Sequence, residues 1–291
     1  MGDIDFFYDS PYRAELYDLQ WNSPNLPDMD VYWKGFADLL AQHGKSIPQN
    51  RPFTLLDVGT GTGRILLGLL KKAAATSLDT STAKFIGMDN APPMLDLAVK
   101  NAAKEQIIPP VTWVVGSATA LHELSPIRQQ GITVDLLIFS FSSICHLREN
   151  GELKQFFESC TKVLTPGTGR AYISFVDGLL QRPGTDVASE FPPFGDPVEI
   201  RSLAYPGVWY REENDAGKFK GDILFMTNRM KVFKKLPEGG EEVLESHSGC
   251  HQLRRFSEAE VLEALESVGL RIVDTLRSDM METYLVLQLP E

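Results

Sequence analysis

The sequence predicts an α/β protein with a doubly wound, mostly parallel sheet. From about residue 53 onward, apolar runs of strand length alternate with segments of helical periodicity. A glycine-rich turn follows the first of these runs directly. Most of the runs are apolar on both faces, as expected for strands that helices cover on two sides. The candidate strands are residues 53–58, 84–88, 111–115, 134–139 and 171–176.

Helical segments and a closing strand pair complete this pattern. Asn150 is placed to cap a helix that ends before a Pro-Gly pair. Ser257 and Glu260 form a capping box at the start of a later helix. That helix leads into two further strands, 270–276 and 283–289. We therefore expect a seven-stranded sheet.

About eighty residues separate the fifth strand from the last helix, and we interpret them as an insertion. Residues 222–233 and 242–253 alternate in polarity around Gly239 and Gly240, which indicates an antiparallel hairpin. Before the first strand, residues 30–43 have the pattern of an amphipathic helix. The expected parts are an N-terminal helical cover (1–50), an α/β core (51–176 and 257–291) and an inserted β-hairpin lid (177–256).

Bulk properties exclude several classes of partner. The net charge of -11 opposes a nucleic acid backbone, and no apolar run approaches the roughly 20 residues that a bilayer needs. The N-terminal residues lack the features of a secretory signal, so we expect a cytoplasmic protein. Three cysteines without C-x-x-C spacing indicate no metal site. A homodimer stays open.

Residues 57–64, Asp-Val-Gly-Thr-Gly-Thr-Gly-Arg, form the strongest motif. Three alternating glycines in a strand-to-helix turn remove side chains where the backbone runs close to a ligand, which indicates a nucleotide-like cofactor. A dinucleotide fingerprint has the spacing G-x-G-x-x-G, but here Arg64 stands in place of the last glycine. The spacing therefore disfavours NAD and FAD. No Gly-Lys-Ser/Thr follows, which disfavours a phosphate-binding P-loop.

Asp89 ends the second strand. A carboxylate there can accept hydrogen bonds from two ribose hydroxyls at once. An Asp after a strand also commonly caps a helix, but its pairing with the glycine turn favours ribose binding.

At these residues the chain resembles the class I S-adenosylmethionine-dependent methyltransferases, over residues 53–176 and 257–291. The resemblance implies a Rossmann-like sheet, S-adenosyl-L-methionine as cofactor and S-adenosyl-L-homocysteine as product. Ser117 departs from the pattern, because many members carry an Asp there that faces the adenine. The cofactor-binding residues implied are Asp57, Gly59, Thr60, Gly61 and Gly63 in the turn, Asp89 and Asn90 after the second strand, Met94, Ser117 and Ala118 around the adenine, and Phe139 and Ser140 in the floor.

The end of the fourth strand bears on the acceptor. Methyltransferases that act on amide or adenine nitrogens carry an Asn/Asp-Pro-Pro-Tyr motif there, and this sequence has none. The segment resembles the small-molecule branch of the family, in particular deoxyamino-sugar and glycine N-methyltransferases. The resemblance implies transfer of a methyl group to N or O of a small, specialised metabolite.

Catalytic candidates follow from position. His146 is the first candidate for a general base, because it follows the fourth strand at the ligand-binding edge, although it could instead pack or cap. His247 and His251 in the hairpin are second candidates. Tyr12 and Tyr17 lie in an aromatic N-terminal segment that is expected to cover the donor, or to pack as an ordinary helix.

Two other functions stay open at the level of sequence. Some proteins of this fold bind S-adenosylmethionine and promote a cyclisation or pericyclic rearrangement without methyl transfer. A cofactor-binding interaction protein without turnover is the third hypothesis.

Overall fold

The computed structural model describes residues 10–23, 26–46, 51–185, 188–193, 196–279 and 281–291. Phe6, Phe7 and Tyr8 of the predicted aromatic segment lie outside these residues. The helices are α1 (Pro11–Trp21), α2 (Asp28–Ser46), α3 (Arg64–Ala75), α4 (Pro92–Lys104), α5 (Ser125–Gln130), α6 (Glu152–Val163) and α7 (Glu258–Val268).

A seven-stranded sheet forms the centre of the fold, as the sequence predicts. Its strands are β1 (Thr54–Val58), β2 (Lys84–Asp89), β3 (Val111–Val115), β4 (Leu136–Phe139), β5 (Arg170–Val176), β14 (Arg271–Ser278) and β15 (Glu282–Gln288). Their order in the sheet is β14-β15-β5-β4-β1-β2-β3. Neighbouring strands among β1 to β5 run parallel, whereas β15 is antiparallel to both β5 and β14.

The predicted helix caps are confirmed at one position and wrong at another. Ser257 caps α7 and its hydroxyl accepts the amide of Glu260 at 3.1 Å. The cap of α6 is Gly151 rather than Asn150. The backbone there has a φ of 88°, a left-handed conformation that glycine adopts without a steric penalty.

A second sheet, which we call the inserted sheet, is built from β7 to β12. The predicted hairpin is present as β11 paired with β12, but the sheet is larger than a hairpin. Beside β11 the order is β7-β10-β11-β9-β8, and a separate short pair joins β6 (Leu180–Gln181) to β13 (Phe256–Ser257). The strands of the inserted sheet are β7 (Glu190–Phe191), β8 (Val198–Arg201), β9 (Val208–Asn214), β10 (Gly217–Lys220), β11 (Ile223–Lys235) and β12 (Glu241–Arg254).

Apolar side chains pack on both faces of the central sheet. On one face α2 and α3 contribute Phe36 and Leu66. On the other, Phe157 of α6 lies in the same cluster as Leu224 and Met226 of β11, so the inserted sheet packs onto the core. Each helix in the described part of the chain is too short or too polar to span a bilayer.

A buried carboxylate ties α1 to the inserted sheet. Glu15 is 6% exposed and accepts hydrogen bonds from the hydroxyl of Ser202 at 2.7 Å and from the amides of Leu203 and Ala204, both at 2.8 Å. The hydroxyl of Tyr210 also donates to it. Removal of a carboxylate that accepts four hydrogen bonds, two of them buried, is costly because each donor would lose its partner.

A second buried carboxylate lies in the inserted sheet and accepts hydrogen bonds from α1. Glu212 of β9 accepts hydrogen bonds from Arg13 and from Gln20 of α1, the latter at 2.7 Å. Asn228 of β11 donates to the same carboxylate at 2.6 Å. Helix α1 is therefore anchored to the inserted sheet at two points.

Replacing Glu15 by Ala should lower the free energy of unfolding by about 2–4 kcal/mol, because two amides and two hydroxyls lose their acceptor. Urea denaturation measures this. The control is Glu213→Ala, whose side chain is 51% exposed and which should change stability by less than about 0.5 kcal/mol. Equal effects of the two variants would contradict the assigned anchor.

Candidate functional site

The turn between β1 and α3 bends through three glycines with positive φ. The φ angles of Gly59, Gly61 and Gly63 are 63°, 57° and 88°. A Cβ on Gly63 would lie 3.0 Å from the side chains of Leu67 and Trp113, so space as well as conformation requires glycine there. The bend presents backbone, with no side chain from these three positions, at the carboxyl edge of the sheet.

Asp57 lies beneath this turn and is 1% exposed. Its Oδ2 accepts a hydrogen bond from the hydroxyl of Thr60 at 2.6 Å, whereas its buried Oδ1 has no hydrogen-bond partner. Burial raises the pKa of the carboxyl to about 7, and the hydrogen bond from Thr60 opposes that rise. An unsatisfied buried carboxylate oxygen is costly in the free protein, which points to a ligand group that completes it.

Asp89 connects the glycine turn to the second strand. Its Oδ2 accepts the amide of Gly61 at 2.8 Å, and its Oδ1 accepts the amide of Ala91 at 2.9 Å. Burial raises the pKa of this carboxyl, and the backbone hydrogen bonds partly offset the effect. Each oxygen keeps a second lone pair, so the carboxylate can still accept hydroxyl donors.

The residues assigned to the cofactor floor lie beside the turn. Phe139 is 3% exposed, and its ring would lie 3.3 Å from a Cβ on Gly59. Ser140 follows it at the end of β4 and is 6% exposed.

The residues assigned to the adenine lie at the next two strand ends. Met94 is buried in α4 against Ala91, with Tyr17 packed on the same cluster. Asn90 is exposed, as is Ser117, whose hydroxyl caps a short 3-10 helix by accepting the amide of Thr119 at 3.3 Å. Ala118 begins that helix and packs against the core.

Tyr17 is the tyrosine of α1 that reaches the turn. A ring carbon lies 3.7 Å from the position of a Cβ on Gly61, and burial raises the pKa of its hydroxyl. Trp21, one turn later, packs on Phe141 with ring centroids 5.2 Å apart. Helix α1 therefore covers the glycine turn with aromatic rings.

A buried ion pair beside the turn was not anticipated from the sequence. The guanidinium of Arg64 donates to both carboxylate oxygens of Asp28, at 2.9 and 2.6 Å, and the two residues are 6% and 0% exposed. The guanidinium carbon also lies 5.5 Å from the ring centroid of Phe141. In the sequence, Asp28 has only the pattern of a helix start. Arg64, directly after the glycine motif, was the one signal that a charged partner lies near the turn.

His146 and His251 meet where the loop after β4 contacts the inserted sheet. Their ring centroids are 5.1 Å apart. Burial, with the charge of Arg148, lowers the pKa of His146 to about 4, and burial with neighbouring His146, Arg13 and Arg148 lowers the pKa of His251 as well. Both imidazoles are therefore uncharged near neutral pH, and the general-base role of His146 stays a prediction.

The structure places the imidazole of His247 far from this loop. His247 pairs with Met230, whereas His251 pairs with Met226, so His247 lies about 13 Å farther along the strand. Its side chain is 49% exposed and contacts Glu245 at 2.6 Å. Register along β12 thus makes His251 rather than His247 the neighbour of His146.

Tyr12 faces the inserted sheet instead of the turn. Its ring centroid lies 4.6 Å from that of Tyr205 and 6.3 Å from that of Tyr210. It belongs to the apolar cluster that joins α1 to β9. Its position five residues before Tyr17 puts it on a different part of the helix surface.

A surface groove of about 260 Å³ lies between α7 and the last two strands. It is lined by Val261, Ile272 and Leu285 among others, and none of its lining residues belongs to the turn or to the loop after β4.

Comparison with known proteins identifies the family. A family model for a methyltransferase domain matches residues 55–167. The N-methyltransferase FrzE of a Cladobotryum species is 35% identical over 279 residues, which span 91% of this chain and 93% of that protein. This chain belongs to the S-adenosylmethionine-dependent methyltransferase family. The predicted resemblance, the enzyme class and the cofactor are thereby confirmed.

Solved methyltransferase structures share the fold over nearly the whole chain. DesVI of Streptomyces venezuelae has a TM-score of 0.63 at 21% identity, covering 96% of this chain and 98% of that one. The sugar N-methyltransferase KedS8 from Streptoalloteichus sp has a TM-score of 0.61 at 16% identity, covering 94% and 93%. At these identities the similarity shows the fold.

The residues around the turn fit S-adenosylmethionine. The glycines offer backbone without side chains, Asp57 holds an unsatisfied oxygen for a cationic group, and Asp89 holds two oxygens on the next strand. The cofactor of this methyltransferase carries an ammonium and a ribose, and carboxylate oxygens of these two residues are able to accept hydrogen bonds from such groups.

Replacing Asp89 by Ala should weaken S-adenosylmethionine binding by about 1.5–3 kcal/mol, the scale of lost charged hydrogen bonds. Isothermal titration calorimetry measures this. Asp96→Ala, on the exposed surface of α4, is the matched control and should leave the affinity unchanged. Wild-type affinity in the Asp89 variant would argue against the ribose assignment.

Asp57 should make cofactor affinity depend on pH. Its pKa of about 7 means that the carboxyl loses its proton as the pH rises through neutrality, so the affinity for a cationic group should fall from about pH 8 to about pH 6. Asp57→Asn should flatten this dependence and weaken binding at the higher pH. A pH-independent affinity in the unaltered protein would contradict the role of Asp57.

The same variant should stabilise the free protein. The folded pKa lies above the unfolded value of about 3.9, so ionisation disfavours the folded state, and this loss of stability grows as pH rises from about 4 through about 7. Asp57→Asn removes the penalty and should raise the unfolding free energy at about pH 8 by about 1–3 kcal/mol. Thermal melts without cofactor, compared with Asp96→Asn, check the sign.

Proposed function

We propose that this methyltransferase transfers a methyl group to the nitrogen of a small-molecule amine, with the loop after β4 and the inserted sheet enclosing the acceptor. The observation that carries the proposal is the position of the half-buried His146, which follows β4 at the carboxyl edge of the sheet and lies with its ring centroid 5.1 Å from that of His251 in the inserted sheet. The N-methyltransferase FrzE supports nitrogen as the acceptor atom. The description of KedS8 as a sugar N-methyltransferase is consistent with a small acceptor.

The cofactor, when bound, supplies an electrophilic methyl group. The chain's own residues must then align the amine and exclude water, since orientation supplies much of the rate in a displacement of this kind. Tyr17 and Trp21 of α1 cover the glycine turn on one side. Phe141, in the loop after β4, packs on Trp21 on the other side.

His146 has a specific task in this proposal. An amine attacks only as its free base, so its lone pair must face the methyl group while an N–H points elsewhere. A neutral imidazole accepts that N–H as a hydrogen bond, which directs the amine lone pair at the methyl group. With a pKa of about 4, His146 does not keep the proton, which passes from the methylated ammonium to water. His251 lies next to His146 on the inner face of the inserted sheet. We also propose that the protein is cytoplasmic, that its acceptor is a specialised metabolite, and that residues 177–256 form a lid over the acceptor.

The test is transfer from methyl-labelled S-adenosylmethionine to a panel of small primary and secondary amines and to matched alcohols, with products identified by mass spectrometry. Labelled N-methyl products from the amines support the proposal. Exclusive labelling of the alcohols, or tight cofactor binding without any transfer across the panel, would count against it.

Replacing His146 by Ala should lower kcat about a hundredfold while cofactor affinity stays close to that of the unaltered protein. His247→Ala is the matched control, because its imidazole is exposed and distant along β12. Since the pKa of His146 is about 4, its protonation should reduce kcat only towards about pH 5 and below. A larger loss in the His247 variant would reverse the assignment.

A further inference from the structure

Two consecutive residues after β4 adopt a backbone conformation that L-amino acids avoid. Phe141 and Ser142 have φ angles of 52° and 55°. In this left-handed region the Cβ crowds the neighbouring carbonyl, so a non-glycine pair persists only where its surroundings hold it. The bend is therefore imposed by contacts from elsewhere in the chain.

Ser142 is fixed by hydrogen bonds to β5. Its amide donates to the hydroxyl of Ser174 at 2.9 Å, and its own hydroxyl accepts the amide of Val176 at 2.5 Å. Because each serine oxygen accepts an amide, the hydroxyl proton of each serine is left to point the other way. Both protons point to a single atom, Oε1 of Glu282, which accepts from Ser142 at 3.4 Å and from Ser174 at 3.2 Å.

Glu282 is well suited to hold the bend. It begins β15, is 3% exposed and lies 140 positions from Ser142 in the sequence. Its second oxygen accepts the hydroxyl of Tyr284 at 2.8 Å. A carboxylate buried against three hydroxyl donors is costly to maintain, and nothing in the cofactor contacts or the acceptor contacts described above uses it.

The bend sets the position of groups on both sides of it. Phe141 packs on Trp21 of the aromatic cover, with ring centroids 5.2 Å apart. Ser143 lies against the glycine turn, its side chain 3.4 Å from the position of a Cβ on Gly59. The short 3-10 helix Ser143–His146 then carries His146 to the inserted sheet.

We propose that Glu282 is a positioning residue for methyl transfer, which acts through Ser142 and Ser174 to hold the Phe141–Ser142 bend and thereby places Phe141 and His146. The role of His146 in this inference rests on the proposed function. The position of the bend itself does not.

The experiment compares Glu282→Ala, Glu282→Gln and Tyr284→Phe. Gln keeps an acceptor oxygen for both serines, whereas Tyr284→Phe leaves Oε1 of Glu282 untouched and removes the donor to Oε2 together with a hydrogen bond to Ser278. We expect Glu282→Ala to lower kcat at least tenfold, while the KM for the amine and the cofactor affinity change less than threefold. Glu282→Gln should keep most of the kcat of the unaltered protein. The kcat of Tyr284→Phe should stay within about twofold of the unaltered protein.

A second readout does not depend on activity. Hydrogen–deuterium exchange of peptides covering residues 139–147 should be at least fivefold faster in Glu282→Ala than in Tyr284→Phe. If the unaltered protein methylates no amine, the proposed function fails and the exchange result alone decides the positioning role. If Glu282→Ala does not fold, Ser142→Ala replaces it, with the same expectations.

Three results would overturn the inference. One is a folded Glu282→Ala variant with kcat within twofold of the unaltered protein. Another is an equal loss of kcat in the Gln, Ala and Tyr284→Phe variants, which indicates general destabilisation. The third is unchanged exchange of residues 139–147 in Glu282→Ala.

Discussion

The site depends on one constraint, the burial of carboxylates beside a backbone bend in which three positions carry no side chain. The three glycines between β1 and α3 adopt conformations that only glycine tolerates without penalty, and they lie over Asp57, whose outer oxygen has no partner. In the free protein this is an unfavourable arrangement, since a buried carboxyl without a full set of donors loses its solvation. In our proposal a cationic cofactor group removes this cost, and the residue that weakens the free protein then contributes to ligand binding.

Other segments of the chain cover that bend and hold it in place. Helix α1 reaches over it with Tyr17, while Glu15 and Glu212 fasten the same helix to the inserted sheet. From the other side, Glu282 holds the strained loop after β4. Helix α1, the inserted sheet and the loop after β4 are thus separate segments that buried carboxylates connect to their neighbours. A movement of the inserted sheet would therefore move α1 with it.

Local sequence signals predicted the parts whose causes are local. The alternation of strands and helices, the glycine turn, the adjacent Asp89 and the capping box at Ser257 each depend on residues within a few positions of one another, and the structure shows them where they were expected. Strands β8, β9 and β10 were missed, because Pro and Gly are frequent around them and their pairing depends on distant strands: β9 and β10 pair with β11, and β8 pairs with β9.

The site features that escaped prediction depend on contacts between distant positions. Which hairpin histidine faces His146 is decided by the register of β12, and periodicity along one strand does not reveal it. The Asp28–Arg64 pair joins the first turns of two helices, and each partner has an ordinary local interpretation. Glu282 has no local signal at all, since its role exists only once β15 has paired with β5.

A crystal structure of the protein with S-adenosyl-L-homocysteine tests the central claim most directly. The account predicts one bound molecule, with its amine within hydrogen-bond distance of Oδ1 of Asp57 and its ribose hydroxyls on Asp89. A ligand bound instead in the groove between α7 and the last two strands, or one that leaves Oδ1 of Asp57 without a partner, would contradict it.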